Sequence, residues 1–163
     1  MQPISSNYND FIEIIKVVLK VYQKDTSKGY IKEILTRTIR MIESVSPMDV
    51  SMAAQAKADE MNLKPLYEYG WLEQNTKRGM KDYDRSIFHW EHFYPINQQI
   101  NDLLALKEIT DASIYNIISK GKVCWILKNE NRELDRIAKS IRPNPVEAYE
   151  KANIILLGEK KRF

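Results

Sequence analysis

The stretch that decides the fold class is Lys122-Val-Cys-Trp-Ile-Leu127, an apolar run bounded by Gly121 and by a strongly polar segment. Its length and its β-branched and aromatic residues predict a buried strand. Directly after it, residues 128–140 predict a helix with Asn129 as the N-cap. A strand that leads straight into a helix indicates a chain that combines both kinds of element.

Upstream of this strand the sequence predicts a second strand and two helices. Residues 86–94 are few, aromatic and bounded by charge and by proline, which is typical of a strand. Residues 97–107 and 111–120 have the spacing of helices. Downstream, residues 144–152 open with a capping box and predict one more short helix. The two strands are therefore separated along the chain by helices.

The first third of the chain predicts three helices. Apolar residues recur at three- and four-residue spacing in residues 8–24 and 30–44. Ser46-Pro47-Met48-Asp49 combines an oxygen cap, a proline and an acid, and predicts the start of a third helix that ends near residue 61. The three helices predict a helical subdomain over residues 8–62 that builds core, with a DNA-binding helix-turn-helix as the alternative.

The composition fits one globular domain. The 163 residues are 44% hydrophobic and 29% charged, which is typical of a folded chain rather than a disordered one. Residues 1–163 are therefore expected to form a single α+β domain, predominantly α-helical, with a small two-stranded β element.

The sequence also excludes several classes of protein. No run approaches the roughly 20 apolar residues that a membrane span requires, and the N-terminus has no basic region followed by an apolar stretch. The single cysteine, Cys124, excludes an internal disulfide framework and is expected to be inert packing. We therefore expect a cytoplasmic protein without a membrane segment. Its oligomeric state stays open, with a homodimer as one alternative.

The net charge of +3 is mildly basic, and the basic residues cluster locally. Such clusters favour a polyanionic partner, and nucleic acid is the partner we expect. Ordinary solvated helix faces would give the same pattern. The candidate nucleic-acid contacts are Lys77, Arg78, Lys81, Lys128 and Arg136.

The candidate chemistry lies in the segment Phe88-His-Trp-Glu-His-Phe-Tyr-Pro95. Both histidines of the chain, His89 and His92, fall within it and flank Glu91. Histidine is the side chain best suited to acid-base work near neutral pH and is the commonest metal ligand. Any chemistry that depends on histidine must therefore take place in this segment.

The subsequence Glu91-His92-Phe-Tyr-Pro95 resembles the first motif of the HNH, or ββα-metal, endonuclease family, in which an acid or histidine precedes a histidine and a proline follows three residues later. The resemblance implies that Glu91 binds Mg²⁺ or another divalent cation. It also implies that His92 is the general base that activates water to hydrolyse a phosphodiester of DNA or RNA. We therefore expect a nuclease.

The rest of that family's pattern is a second strand and a helix that completes the metal site, which the resemblance assigns to residues 85–142. Asn131 is the candidate second ligand, with His89 as a further one. Arg85 and Arg132 are the candidate phosphate contacts. Residues 96–121 stand where the family has a short hairpin, and the final histidine of the family motif is missing.

A structural interpretation of the same segment stays open. On a strand, alternate residues share a face, so His89 and Glu91 would point one way while Trp90 and His92 point the other. His92 could then be a core or interface histidine beside Trp90, and His89 with Glu91 a surface pair. The alternative functions are a non-catalytic protein that binds nucleic acid or another protein, and a structural or regulatory inhibitor.

Overall fold

The computed structural model describes residues 8–159, which contain seven α-helices and three β-strands. The predicted α+β, predominantly helical fold class is confirmed. The helices are α1 (Asn9–Lys24), α2 (Tyr30–Ile42), α3 (Met52–Glu60), α4 (Ile96–Leu104), α5 (Asp111–Ile118), α6 (Lys128–Ile137) and α7 (Pro145–Lys151). The strands are β1 (Met48–Val50), β2 (Phe88–His92) and β3 (Val123–Leu127).

The three strands form one mixed sheet in the order β1-β3-β2. Strand β3 lies at the centre, parallel to β1 and antiparallel to β2. Its central place explains the apolar run, because both faces of β3 are covered. Strand β2, which carries the candidate chemistry, is an edge strand, and within residues 8–159 no strand pairs with its outer side.

Strand β1 corrects the prediction that a third helix begins at Ser46. Met48, Asp49 and Val50 are buried and extended, and they pair with β3. The helix begins later, where the Ser51 hydroxyl accepts the backbone N–H of Ala54. Local capping signals favoured Ser46, but a place beside the central strand buries Met48 and Val50 and prevails over them. The sheet therefore has three strands where two were predicted.

The helical layer is built from α1, α2, α4 and α5. Their apolar stripes meet in one cluster that includes Ile12, Leu35, Leu103 and Ile114. Helix α3, which the sequence placed in a subdomain of residues 8–62, packs on the sheet instead. Helices α4 and α5, between the two antiparallel strands, take its place in the layer.

The two faces of the sheet have different covers. Trp125 and Phe88 face α3 and the 3-10 helix Leu66–Glu68, while Cys124 and Ile126 face α6 and α7. Residues directly opposite each other in an antiparallel pair share a face. Trp90 lies opposite Trp125 and Glu91 lies opposite Cys124, so neighbouring residues of β2 serve different layers.

Helix α6 follows β3 without a connecting loop, and its N-terminus corrects the predicted cap. Asn129 lies inside the helix. Its first turn is fixed by Glu130, whose carboxylate accepts the Leu127 N–H at 2.7 Å and the Ser51 hydroxyl at 2.6 Å. Because Ser51 also caps α3, one hydrogen-bonded chain fixes the start of both helices against the sheet.

The start of β2 is held by a buried carboxylate. Asp82 accepts backbone N–H groups from Ser86, Ile87 and Phe88 and the side-chain amide of Gln74. These charge-assisted bonds satisfy donors at a strand end that no neighbouring strand covers. The histidine segment therefore begins from a fixed point.

Candidate active site

A cleft of about 430 Å³ lies beside the edge strand β2. Residues of α2, of β2, of the start of α4, of α6 and of the segment after α6 line it, so five separate parts of the chain converge there. The segment that the sequence singled out supplies both histidines and the carboxylate between them. The lining residues are Thr36, Arg40, His89, Glu91, His92, Pro95, Ile96, Asn97, Asn131, Asp135, Lys139, Ser140 and Arg142.

His92 is oriented by Glu43, at the C-terminal end of α2. Its Nε2 is hydrogen-bonded to one Glu43 oxygen, and the other Glu43 oxygen accepts the Trp90 indole N–H at 3.1 Å. A carboxylate only accepts hydrogen bonds, so this contact assigns the proton of a neutral imidazole to Nε2 and the lone pair to Nδ1. Within residues 8–159 no hydrogen bond reaches Nδ1 of His92, which leaves that nitrogen able to take a proton.

Glu91 forms a buried ion pair on the other face of β2. Its Oε1 accepts the Arg142 guanidinium at 2.9 Å, and its Oε2 lies 3.1 Å from His89 Nε2. Burial opposes ionisation of this carboxyl, but the His89 hydrogen bond and the Arg142 charge outweigh it and lower the pKa of Glu91 below its ordinary value. Glu91 is therefore a charged structural group that ties β2 to the segment after α6.

Arg142 is 2% exposed and is held on several sides. Besides Glu91, it donates to the backbone carbonyls of Ala138 at 3.3 Å and Lys139 at 3.0 Å. These bonds satisfy the guanidinium in a place where water does not reach it. Arg142 thus fixes the end of α6 and the position of Glu91 together.

His89 has both ring nitrogens occupied. Nε2 lies against Glu91, and Nδ1 lies 3.2 Å from the ammonium of Lys128. Because an ammonium only donates, it holds the lone pair of Nδ1 in a hydrogen bond. His89 lines the cleft, but it has no nitrogen free to accept a proton from a substrate.

The predicted metal ligands do not form a site that fits a divalent cation. Mg²⁺ requires oxygen ligands, and both oxygens of Glu91 are already bonded to Arg142 and His89. Asn131 and Asp135 line the same cleft and are hydrogen-bonded to each other at 3.4 Å. Among residues 8–159 no group of three or more histidine, cysteine or acidic side chains could hold a metal. Ligation of a divalent cation by Glu91, Asn131 and His89 stays a prediction.

The two predicted phosphate contacts lie outside the cleft lining. The Arg85 guanidinium stacks on the Trp71 ring at 4.0 Å from its centroid, and Arg132 is exposed on α6. The free cations of the cleft are Arg40 and Lys139, because Arg142 is neutralised by Glu91. Phosphate contact by Arg85 and Arg132 stays a prediction, and Arg40 and Lys139 are further candidates because they line the cleft.

The remaining basic candidates are distributed over two surfaces. Lys77, Arg78 and Lys81 are exposed in the loop before β2. Lys128 contacts His89 at the start of α6, and Arg136 pairs with Glu133 at 2.7 Å on the outer face of the same helix. Of these five residues only Lys128 touches a cleft side chain.

Sequence reasoning missed Glu43, Arg40 and Arg142. Glu43 and Arg40 stand at the end of an amphipathic helix, where polar residues usually face solvent, and Glu43 lies 49 residues from His92. Arg142 precedes Pro143 in a polar segment, and nothing local indicates that it is buried. Each histidine needs a polar partner, which predicts that such residues exist, but the sequence does not show which residues they are.

Comparison of the chain with protein-family models, with curated proteins and with solved structures finds no match. The resemblance to HNH endonucleases therefore rests on the sequence motif alone. Among the helices within residues 8–159, none has both the length and the apolar composition that crossing a bilayer requires. Cys124 is free and fully buried, as expected for packing.

Proposed function

We propose that the protein is a nuclease that cleaves phosphodiester bonds in this cleft, with His92 as the general base. The observation that carries the proposal is the state of His92: Glu43 orients the imidazole, Nδ1 is free, and the ring lines a cleft that also contains Arg40 and Lys139. A base, its orienting carboxylate and two cations are the groups that phosphoryl transfer uses.

Each group has a defined task. His92 Nδ1 takes the proton of the attacking nucleophile, because histidine is the side chain best suited to acid-base work near neutral pH. Glu43 fixes the tautomer and stabilises the imidazolium that forms. Arg40 and Lys139 bind the phosphate oxygens and stabilise the charge that grows on them during attack.

The partner in this proposal is nucleic acid, and the setting is cytoplasmic. The cleft lining contains three cations and two carboxylates, so one positive charge remains when the histidines are neutral. Lys77, Arg78 and Lys81 add sequence-independent contacts to the backbone outside the cleft. The chemistry requires one chain, and the homodimer named as an alternative is not needed for it.

A second candidate is a non-catalytic nucleic-acid-binding protein. The observation that favours it is the exposed Trp71 ring with the Arg85 guanidinium stacked on it, next to a basic loop. Aromatic rings and guanidinium groups stack on bases without sequence preference. Such a protein would retain nucleic acid in a salt-sensitive way and leave it intact.

The test is a cleavage assay with end-labelled single-stranded RNA and supercoiled plasmid, each in Mg²⁺ and in chelator. We expect wild-type protein to cleave at least one substrate and His92→Ala to lose about 10²- to 10⁴-fold in rate, the usual contribution of a general base. Lys57→Ala serves as the matched control and should keep the rate, because Lys57 pairs with Glu60 on α3 and does not line the cleft. Circular dichroism of each variant separates a lost base from a lost fold.

Two results would contradict the proposal. If His92→Ala cleaves as fast as wild type, the base lies elsewhere. If wild-type protein retains RNA or DNA at low salt and cleaves neither in any buffer, the binding function holds instead.

A further inference from the structure

We infer that the substrate of this cleft is RNA, cut by attack of the ribose 2′-hydroxyl on the adjacent phosphorus without a divalent cation. The products would be a 2′,3′-cyclic phosphate and a free 5′-hydroxyl. This inference rests on the proposed function and narrows it to one substrate class and one nucleophile.

The described residues contain no group of three or more histidine, cysteine or acidic side chains that could hold a metal ion and so activate a water molecule. A bound metal ion normally supplies the nucleophile at neutral pH by lowering the pKa of its water far below that of bulk water, to about 7. Here the candidate ligand Glu91 has both oxygens bonded, to Arg142 and to His89. Within the described cleft lining, the free imidazole nitrogen is that of His92 alone, since both nitrogens of His89 are occupied.

RNA carries its own nucleophile, the ribose 2′-hydroxyl. A hydroxyl held next to the phosphorus reacts as an intramolecular group, with effective molarities that reach about 10⁵–10⁸ M in well-oriented cases. A single imidazole can therefore suffice for the 2′-hydroxyl of RNA. DNA has no such group, and its hydrolysis would need a separate water molecule as nucleophile, without this intramolecular advantage.

The net charge and the volume of the cleft both fit one phosphodiester of a single strand. Once Glu91 and Arg142 neutralise each other, Arg40 and Lys139 face Asp135 and leave one net positive charge, which matches one phosphodiester. The volume of about 430 Å³ lies in the range of pockets for small ligands. The cleft can therefore take the scissile phosphate of a single strand and the nucleotide before it.

The reaction balances without an added reagent. His92 Nδ1 takes the proton of the 2′-hydroxyl, the 2′-oxygen forms a bond to phosphorus, and the bond from phosphorus to the 5′-oxygen breaks. The 5′-oxygen takes a proton from water, and the imidazolium returns its own proton to the hydroxide that remains. Arg40 and Lys139 stabilise the added negative charge on the phosphoryl oxygens meanwhile.

The experiment uses three end-labelled single strands of one sequence: all-DNA, DNA with one ribonucleotide, and DNA with one 2′-O-methyl ribonucleotide at the same position. Wild-type protein, His92→Gln and the control Lys57→Ala are compared in chelator and in Mg²⁺. We expect cleavage in chelator only after the ribonucleotide. Mass spectrometry should find the product lighter by one water than the corresponding monophosphate. The 2′-O-methyl strand should stay intact, and His92→Gln should lose about 10²- to 10⁴-fold in rate.

Four outcomes overturn the inference, and they separate it from the proposed function. Cleavage of the all-DNA strand, or cleavage that chelator abolishes, points to metal-assisted attack by water and leaves the nuclease proposal standing. Cleavage of the chimera with a 5′-phosphate product does the same. If no strand is cut in either buffer, and a natural-length RNA is not cut either, both proposals fail together.

Discussion

Strand β2 carries a histidine–carboxylate pair on each of its two faces, and the two pairs have different surroundings. On the face toward α6, Glu91 is bonded to a buried guanidinium and His89 has both nitrogens occupied. On the opposite face, Glu43 accepts hydrogen bonds from His92 and Trp90, and within residues 8–159 it forms no ion pair with a guanidinium or an ammonium group. The first pair is closed by its neighbours, and the second keeps a free imidazole nitrogen.

The difference shows that residue type does not assign the role of a histidine. The two imidazoles are similarly exposed, at 28% for His89 and 26% for His92. The two histidines differ in what lies at Nδ1, which is the Lys128 ammonium for His89 and the open cleft for His92. The pair with the strongest electrostatic support is the structural one, and the pair with the weaker support is the one that can react.

The largest expected effect comes from opening the closed pair. Arg142→Met leaves the Glu91 carboxylate buried without its cation, so we expect a loss of about 3–5 kcal/mol in unfolding free energy. Urea denaturation measures it. The control is Arg136→Met, which breaks the exposed pair with Glu133 and should cost less than about 1 kcal/mol. Equal losses in the two variants would show that Glu91 is not held as described.

The open pair should respond in activity rather than in stability. Glu43→Gln removes the charge that orients His92, and we expect kcat to fall about 10- to 100-fold, as when an outer partner of a functional histidine is lost. KM should stay close to its wild-type value, because Glu43 does not line the cleft. Steady-state cleavage kinetics separate the two constants, and Glu43→Asp should restore part of kcat. A rise in KM alone would assign Glu43 to substrate binding.

The closed pair should also set the response of stability to acid. The pKa of the Glu91 carboxyl is lowered in the folded protein. Glu91 therefore adds to the free energy of unfolding at pH values above its ordinary unfolded pKa of about 4.3. That contribution is lost as the pH falls from there through the folded pKa. Glu91→Gln should therefore unfold with a weaker pH dependence than wild type below about pH 4.3. Parallel curves for the two proteins would contradict the lowered pKa.

The smallest expected effect comes from Lys128→Met, which frees Nδ1 of His89. The pair is partly exposed, so we expect a stability change within about 0.5 kcal/mol. Cleavage should still depend on His92, because Arg142 neutralises the Glu91 carboxylate that would otherwise stabilise an imidazolium at His89. The double variant Lys128→Met with His92→Gln should thus stay inactive, and recovered activity there would make the two histidines interchangeable.

The sequence predicted the parts of the fold that local patterns determine. Apolar periodicity gave α1 and α2 nearly to the residue, and the apolar run gave β3. The strand β1 was missed because Ser46 and Pro47 form a good local cap. Only contacts with β3 and its neighbouring residues decide against it. One of them joins Asp49 to Lys122, which lie 73 residues apart along the chain. Long-range pairing of three residues leaves little trace in sequence.

The candidate site was predicted in its histidine segment and in Asn131, which do line one cleft. The partners that decide each role were not. Glu43, Arg40 and Arg142 come from other elements, and their sequence surroundings are those of ordinary surface positions. Spacing within a motif can place two histidines and a carboxylate together, but only the fold shows which of them is already occupied.

The most direct test of the central claim is the reaction of each imidazole with diethyl pyrocarbonate, which modifies histidine through an unprotonated, accessible ring nitrogen. Mass spectrometry of peptides containing His89 and His92 follows both rates in one sample while cleavage is assayed in parallel. We expect His92 to react first and cleavage activity to decline together with the modification of His92. Faster reaction at His89, or full activity after His92 is completely modified, would contradict it.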